Sequence, residues 1–123
     1  MNAKYLKHWC VFVAALFLSF AVFARQPPVG GIAAADLPAE ARQTLALIKR
    51  GGPFPYPKDG AVFGNYERIL PRQPRGYYHE FTVKTPGVRS RGARRLIVGG
   101  ELVEPHEFFY TADHYATFSR VTE

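Results

Sequence analysis

Cysteine is almost absent from this chain. Cys10 is the single one in 123 residues, and it sits inside an apolar N-terminal run. If that run is removed, no disulfide can form, and packing alone must hold the fold. Acidic residues are also few: 10 against 16 lysines and arginines, a formal net charge of +6. Such an excess favours a polyanionic partner without specifying one. The histidines stand at no metal-ligand spacing from a cysteine or from one another. There is no internal repeat.

The first 24 residues read as a secretory signal peptide. Lys4, Lys7 and His8 precede an apolar run from Trp9 to Phe23, which is too short for a comfortable membrane span. Val22 and Ala24 fit the small-residue pattern at a cleavage point after Ala24. Cys10 lies at the front of the apolar run and is badly placed for lipid attachment. Cleavage leaves 99 residues, enough for one small domain with a single core, carrying a formal charge of +4. The expected destination is outside the cytoplasm, extracellular or periplasmic, with no stable membrane association once the signal is gone. Nothing in the composition argues against a monomer.

Arg25 to Ala35, with two prolines, two glycines and a run of alanines, reads as a flexible leader, so the fold is expected to occupy 36–123. Asp36 can cap a helix with Pro38 in its first turn. Leu37, Ala41, Leu45 and Ile48 recur at helical spacing, and Gly51 and Gly52 end the pattern. An amphipathic helix over about Pro38 to Lys49 follows. Three prolines and Asp59-Gly60 make Gly52–Gly60 a packed loop. From Tyr77 to Lys84 the period changes to two, placing Tyr77, His79, Phe81 and Val83 opposite Tyr78, Glu80, Thr82 and Lys84. Further strands are expected over Arg95–Val98, Phe108–Thr111 and Tyr115–Arg120, separated by Pro86-Gly87, Gly99-Gly100 and Ala112-Asp113. One helix followed by an antiparallel sheet is an α+β arrangement.

Glu80, Arg91, Arg95 and His114 form the constellation that carries chemistry. Glutamate is disfavoured mid-strand unless its face is solvent or a site. Four arginines occur between Arg89 and Arg95, more than a solubility surface needs. Arg91 and Arg95 share a side if the backbone between them is extended, and Gly92 lets the chain approach a ligand. His114 lies at a turn between strands, with Asp113 as an orienting group and Tyr115 as a ring able to contact base or phosphate. His79 is expected to make a structural hydrogen bond and His106 to be solvent exposed. A carboxylate and an imidazole can exchange base and acid roles near neutral pH, while arginine forks hold phosphate oxygens. These residue types suit phosphoryl transfer, and the hypothesis they suggest is RNA cleavage.

Five blocks, in order, are specific enough to name a family: Gly52-Pro53-Phe54-Pro55-Tyr56; Asp59-Gly60 with Val62-Phe63; Gly76-Tyr77-Tyr78-His79-Glu80; Thr85-Pro86-Gly87 through Arg91-Gly92 to Arg94-Arg95; and Asp113-His114-Tyr115-Ala116-Thr117-Phe118. From about Leu37 to Val121 the chain resembles the bacterial guanyl-specific ribonucleases, relatives of barnase. The resemblance implies a helix packed on a twisted antiparallel sheet. It implies that Glu80 is the general base and His114 the general acid, with Arg91 and Arg95 on the phosphate, no cofactor and no metal. Guanine recognition would reside in Phe63, Gly64, Asn65, Tyr66 and Glu67, with Tyr56 and Tyr115 among the substrate-binding residues. Two departures bear on base preference and phosphate affinity: Tyr66 stands where relatives commonly carry arginine, and Gly64 where a longer polar side chain is often seen. Single-stranded RNA is the implied substrate, and a small acidic cytoplasmic inhibitor the implied protein partner. The alternatives are a secreted RNA- or polyanion-binding protein without turnover, and the same chemistry used as an antibacterial toxin.

Overall fold

Ala41, Leu45 and Ile48 form one apolar stripe along α1 (Ala39–Arg50), and Leu37, just before it, extends that stripe. The structure, a computed structural model, describes residues 29–123; the signal reading, its cleavage point and Cys10 lie outside the described residues. Asp36 does not cap α1. It closes a short 3-10 turn at Ala34–Asp36, and Pro38 takes the N-cap position with no side-chain cap bond. At the other end the N–H groups of Gly51 and Gly52 close on the carbonyls of Ile48 and Leu47, at 3.1 and 2.9 Å. The Thr44 hydroxyl reaches the Thr82 carbonyl at 3.0 Å and pins the helix to the sheet.

The sheet has six strands: β1 (Gly30–Ala33), β2 (Ala61–Val62), β3 (Tyr78–Thr82), β4 (Arg95–Gly100), β5 (Pro105–Thr111) and β6 (Ser119–Thr122). Their spatial order is β1-β6-β5-β4-β3-β2. Every neighbouring pair is antiparallel except β1 with β6, which run parallel, so the helix-on-sheet domain has a mixed sheet. Gly30–Ala33 fall in the stretch expected to be a flexible leader. Over these residues that expectation is corrected: they pair with Ser119–Thr122, and Ile32 packs against the core.

All four strand expectations shift at their ends: Arg95–Val98 extends through Gly99 and Gly100, which were expected to separate strands, and Phe108–Thr111 begins earlier, at Pro105. The Tyr77–Lys84 pattern yields a strand over Tyr78–Thr82, and Tyr115–Arg120 yields one only over Ser119–Thr122. In the last case Tyr115 has a φ of 75°, and Thr117 donates to the Asp113 carboxylate, so the chain winds through a turn before it can extend.

Both faces of the sheet are buried. Phe81, Val83, Leu96, Val98, Phe108, Tyr110 and Val121 meet α1 on one side. On the other, Tyr78, Ile97 and Phe109 pack with Leu70 and Phe118 from the loops. Alternation along β4 explains the division, since Leu96 and Val98 point to the helix and Ile97 points away. Each such side chain contributes roughly 1.5–3 kcal/mol on burial. His79 departs from expectation: its Nδ1 is buried and has no hydrogen-bond partner among the described residues. His106 is exposed, as expected. Among the described residues no helix is long and apolar enough to cross a membrane.

Candidate active site

The cross-strand register assembles the site. Thr82 on β3 lies opposite Arg95 on β4, which lies opposite Thr111 on β5; one step along, Glu80 pairs with Ile97. Directly opposed residues project to the same face, so Glu80, Thr82, Arg95 and Thr111 share the side of the sheet away from α1. The preceding loop secures this edge. The Asp59 carboxylate accepts from the Thr82 N–H at 2.8 Å and from the Tyr56 N–H at 3.2 Å, and the Gly60 N–H donates to the Glu80 carbonyl at 2.8 Å.

Both oxygens of the Glu80 carboxylate are held. Arg91 donates from Nη2 to Oε1 at 2.9 Å, and the Tyr115 hydroxyl donates to Oε2 at 2.9 Å. Arg91 is itself oriented by Nε, which donates to the Thr82 hydroxyl at 3.0 Å. Burial and then the bond to Glu80 push the Tyr115 hydroxyl up to about 12, so it remains a donor at neutral pH. Arg95 is 3 % exposed; its Nη1 donates to the carbonyls of Arg94 and Arg91, and its Nε has no partner among the described residues. A buried guanidinium with a free donor is a fixed positive charge for an oxyanion.

Arg91 and Arg95 do converge, but through a bend in the chain. Gly92 has a φ of 66°, and a Cβ there would lie 2.5 Å from Oγ1 of Thr85. Glycine is needed for this turn against Thr85, so the backbone between Arg91 and Arg95 is bent here and not extended throughout. Arg94 turns the other way and pairs with Glu40 of α1 at 3.0 Å.

His114 is exposed, and both it and Tyr115 have left-handed backbone, φ 54° and 75°. The turn is held from two sides. The His114 N–H donates to the Ala93 carbonyl at 3.0 Å, tying it to the arginine loop, and the Tyr115 N–H donates to the Thr111 hydroxyl at 3.1 Å. Asp113 was expected to orient His114. Its carboxylate instead accepts from the Thr117 hydroxyl, the Thr117 N–H and the Thr111 hydroxyl, which hold it down to about 2. Asp113 therefore shapes the turn, and the imidazole rests on the Tyr115 ring with centroids 4.7 Å apart.

Beside this cluster, Phe63, Asn65, Tyr66, Glu67, Ile69, His114, Tyr115 and Phe118 line a pocket of about 270 Å³. It brings together the expected base-reading segment and the expected acid. Phe63 and Tyr115 pack on each other, centroids 4.9 Å apart. The Asn65 side chain bonds the N–H and carbonyl of Leu70 at 3.2 and 2.9 Å, so it builds the loop and leaves Glu67 as the exposed acceptor. Gly64 is covered by the Tyr66 ring, which a Cβ would meet at 2.4 Å. Tyr56 does not line that pocket; it lines a separate depression together with Thr44, Asp59, Thr82 and Lys84. The sequence reading missed Thr82 and Asp59 as supports and Tyr115 as a partner of Glu80. Strand parity could have flagged Thr82; nothing local could have flagged the other two.

Comparison with known proteins gives the family and the fold. A family model described as ribonuclease matches residues 26–122. The chain is 58% identical over 84 residues to guanyl-specific ribonuclease St of Saccharopolyspora erythraea, covering 68% of this chain and 79% of that one. It is 53% identical over 94 residues to guanyl-specific ribonuclease Sa of Kitasatospora aureofaciens, covering 76% of this chain and 95% of that one. The solved structure of ribonuclease Sa2 in complexes with mononucleotides superposes with a TM-score of 0.75 at 46% identity, over 80% of this chain and 98% of that one. The chain belongs to the microbial guanyl-specific ribonuclease family.

Proposed function

We propose that the protein is a secreted endoribonuclease that cleaves single-stranded RNA on the 3′ side of guanosine. The observation that carries this reading is the Glu80 carboxylate held at both oxygens by Arg91 and Tyr115, on the sheet face where Arg95 is buried. Ribonuclease Sa2, similar in fold, is solved with guanosine-2′-cyclophosphate and with 3′-GMP. Export is supported by the N-terminal 24 residues, whose basic start, apolar run and small residues before position 25 are those of a signal peptide.

In the first step Glu80 takes the proton from the ribose 2′-hydroxyl as its oxygen attacks the adjacent phosphorus. The bond from phosphorus to the 5′-oxygen breaks, and His114 as imidazolium delivers a proton to that oxygen. A 2′,3′-cyclic phosphate remains. In the second step neutral His114 takes a proton from water as the water oxygen attacks phosphorus, the bond from phosphorus to the 2′-oxygen breaks, and Glu80 returns its proton to that oxygen, leaving a 3′-phosphate. Arg91 and Arg95 stabilise charge on the non-bridging oxygens throughout. Glu67 accepts from guanine N1–H and N2–H together, a pair of donors that adenine lacks.

The test is digestion of GpA, ApA, CpA and UpA by the protein in EDTA, with chromatography of the products. Guanosine 2′,3′-cyclic phosphate appearing first from GpA is the expected result. Cleavage abolished by chelator, or an absence of any cyclic product, would sink the mechanism; equal cleavage of all four would remove the guanine preference.

A further inference from the structure

The Phe63–Tyr66 segment also lines a second cleft, of about 250 Å³, that does not include His114 and whose lining includes Arg68, Arg72 and Arg75. All three arginines are exposed. No carboxylate lines the cleft, and among the described residues none of the three takes part in an ion pair. Of the other described arginines, Arg91, Arg94 and Arg120 have a carboxylate partner, whereas Arg42, Arg50, Arg89 and Arg95 do not; what sets the three apart is that they line one concavity. Arg75 is positioned, with Nη1 donating to the Tyr66 hydroxyl at 3.1 Å. Three guanidinium groups around one concavity repel each other unless an anion joins them, and their planar forks match phosphate oxygens.

The cleft is placed for the substrate strand. Phe63, Asn65 and Tyr66 line both it and the pocket that holds Glu67 and His114, so the two sites share a wall. We infer that Arg68, Arg72 and Arg75 form a subsite for the phosphate on the 5′ side of the recognised guanosine. This rests on the ribonuclease reading above. With guanine in the Glu67 pocket, its 3′-phosphate is committed to Arg91 and Arg95, and the leaving nucleotide departs past His114. That leaves the 5′ side of the guanosine as the part of the strand available to the cleft across the shared wall. The subsite makes guanosines within a strand better substrates than those at a free 5′ end.

The experiment compares binding of pGpA and GpA by calorimetry on Glu80→Gln protein, which separates affinity from turnover. Wild-type digestion of GpA, run in parallel, tests the ribonuclease reading alone. The expected result is about fivefold or more tighter binding of pGpA, falling to near parity when Arg68→Gln and Arg72→Gln are added. Adding Arg42→Gln and Arg50→Gln instead, two exposed arginines on α1, removes the same charge and should leave the preference in place. Equal affinities before any arginine is changed overturn the subsite. So does a preference that survives the cleft substitutions, or one that the helix substitutions abolish equally, since net charge would then be the cause. A wild type that leaves GpA uncut while the preference holds removes the ribonuclease reading and retains an anion-binding cleft.

Discussion

The Tyr115 hydroxyl donates to Oε2 of Glu80 at 2.9 Å, joining residues 35 positions apart in the chain. With Arg91 on the other oxygen, the carboxylate has one orientation on the sheet face. Tyr115→Phe keeps the ring against Phe63 and His114 but releases one oxygen. We expect kcat/KM on GpA to fall about tenfold, the scale of one hydrogen bond to a charged group. A rate equal to wild type would show that Arg91 alone orients the base.

Glu80→Gln and His114→Gln should each lower kcat by about 10²-fold or more while RNA binding persists. Single-turnover cleavage and filter binding of the same oligonucleotide read the two quantities. Wild-type cleavage by both variants would show that the acid and base lie elsewhere.

Glu67→Gln replaces an acceptor of two protons by an amide with one acceptor oxygen. The ratio of kcat/KM for GpA over ApA should drop by about tenfold or more, with little change on ApA. If both substrates lose rate equally, Glu67 serves turnover and not base choice.

Asp113 should make stability sensitive to acid. The Thr117 and Thr111 bonds depress its folded pKa from 3.8 to about 2. Because the folded value lies below the unfolded one, the carboxylate contributes stability above about 3.8, and that contribution is lost as pH falls from 3.8 toward 2. Urea unfolding of Asp113→Asn, followed from neutral pH downward, should therefore show a shallower decline over that interval. Parallel curves for variant and wild type would refute the assignment.

A chain beginning at Ala34 lacks β1 and with it Ile32, which packs on the helix-side core. The expected cost is about 1–2 kcal/mol, measured as a lower Tm. An unchanged Tm would make Gly30–Ala33 dispensable.

The helix and the central strands were legible because their signals are local. Leu37, Ala41, Leu45 and Ile48 recur at one period, Phe81 and Val83 at another, and Gly51 stops the helix where it stands. The last strand was misplaced because Tyr115 and Thr117 look like strand residues. Their backbone is decided by Thr111 and Asp113, whose side chains bond that turn at short range but only once β5 has ended there. The flexible-leader reading failed over β1 for a different reason: glycines and alanines carry no strand pattern, and only the exposed edge of β6 recruits them.

By itself the sequence determined the residue types of the site, the helix with its apolar stripe, and the family blocks that surround Glu80 and His114. Each of these is written in short stretches of chain, where spacing along the backbone stands for position in space. Tertiary structure alone decided which side chains meet. It set Tyr115 against Glu80, Arg91 on Thr82, Arg94 away on Glu40, Tyr56 on Asp59, and Arg75 on Tyr66. The physical reason is that strand register and turn closure are settled by burial on both faces of the sheet. A one-residue slip would carry every side chain of a strand to the opposite face, so these contacts exist only after the whole sheet has formed.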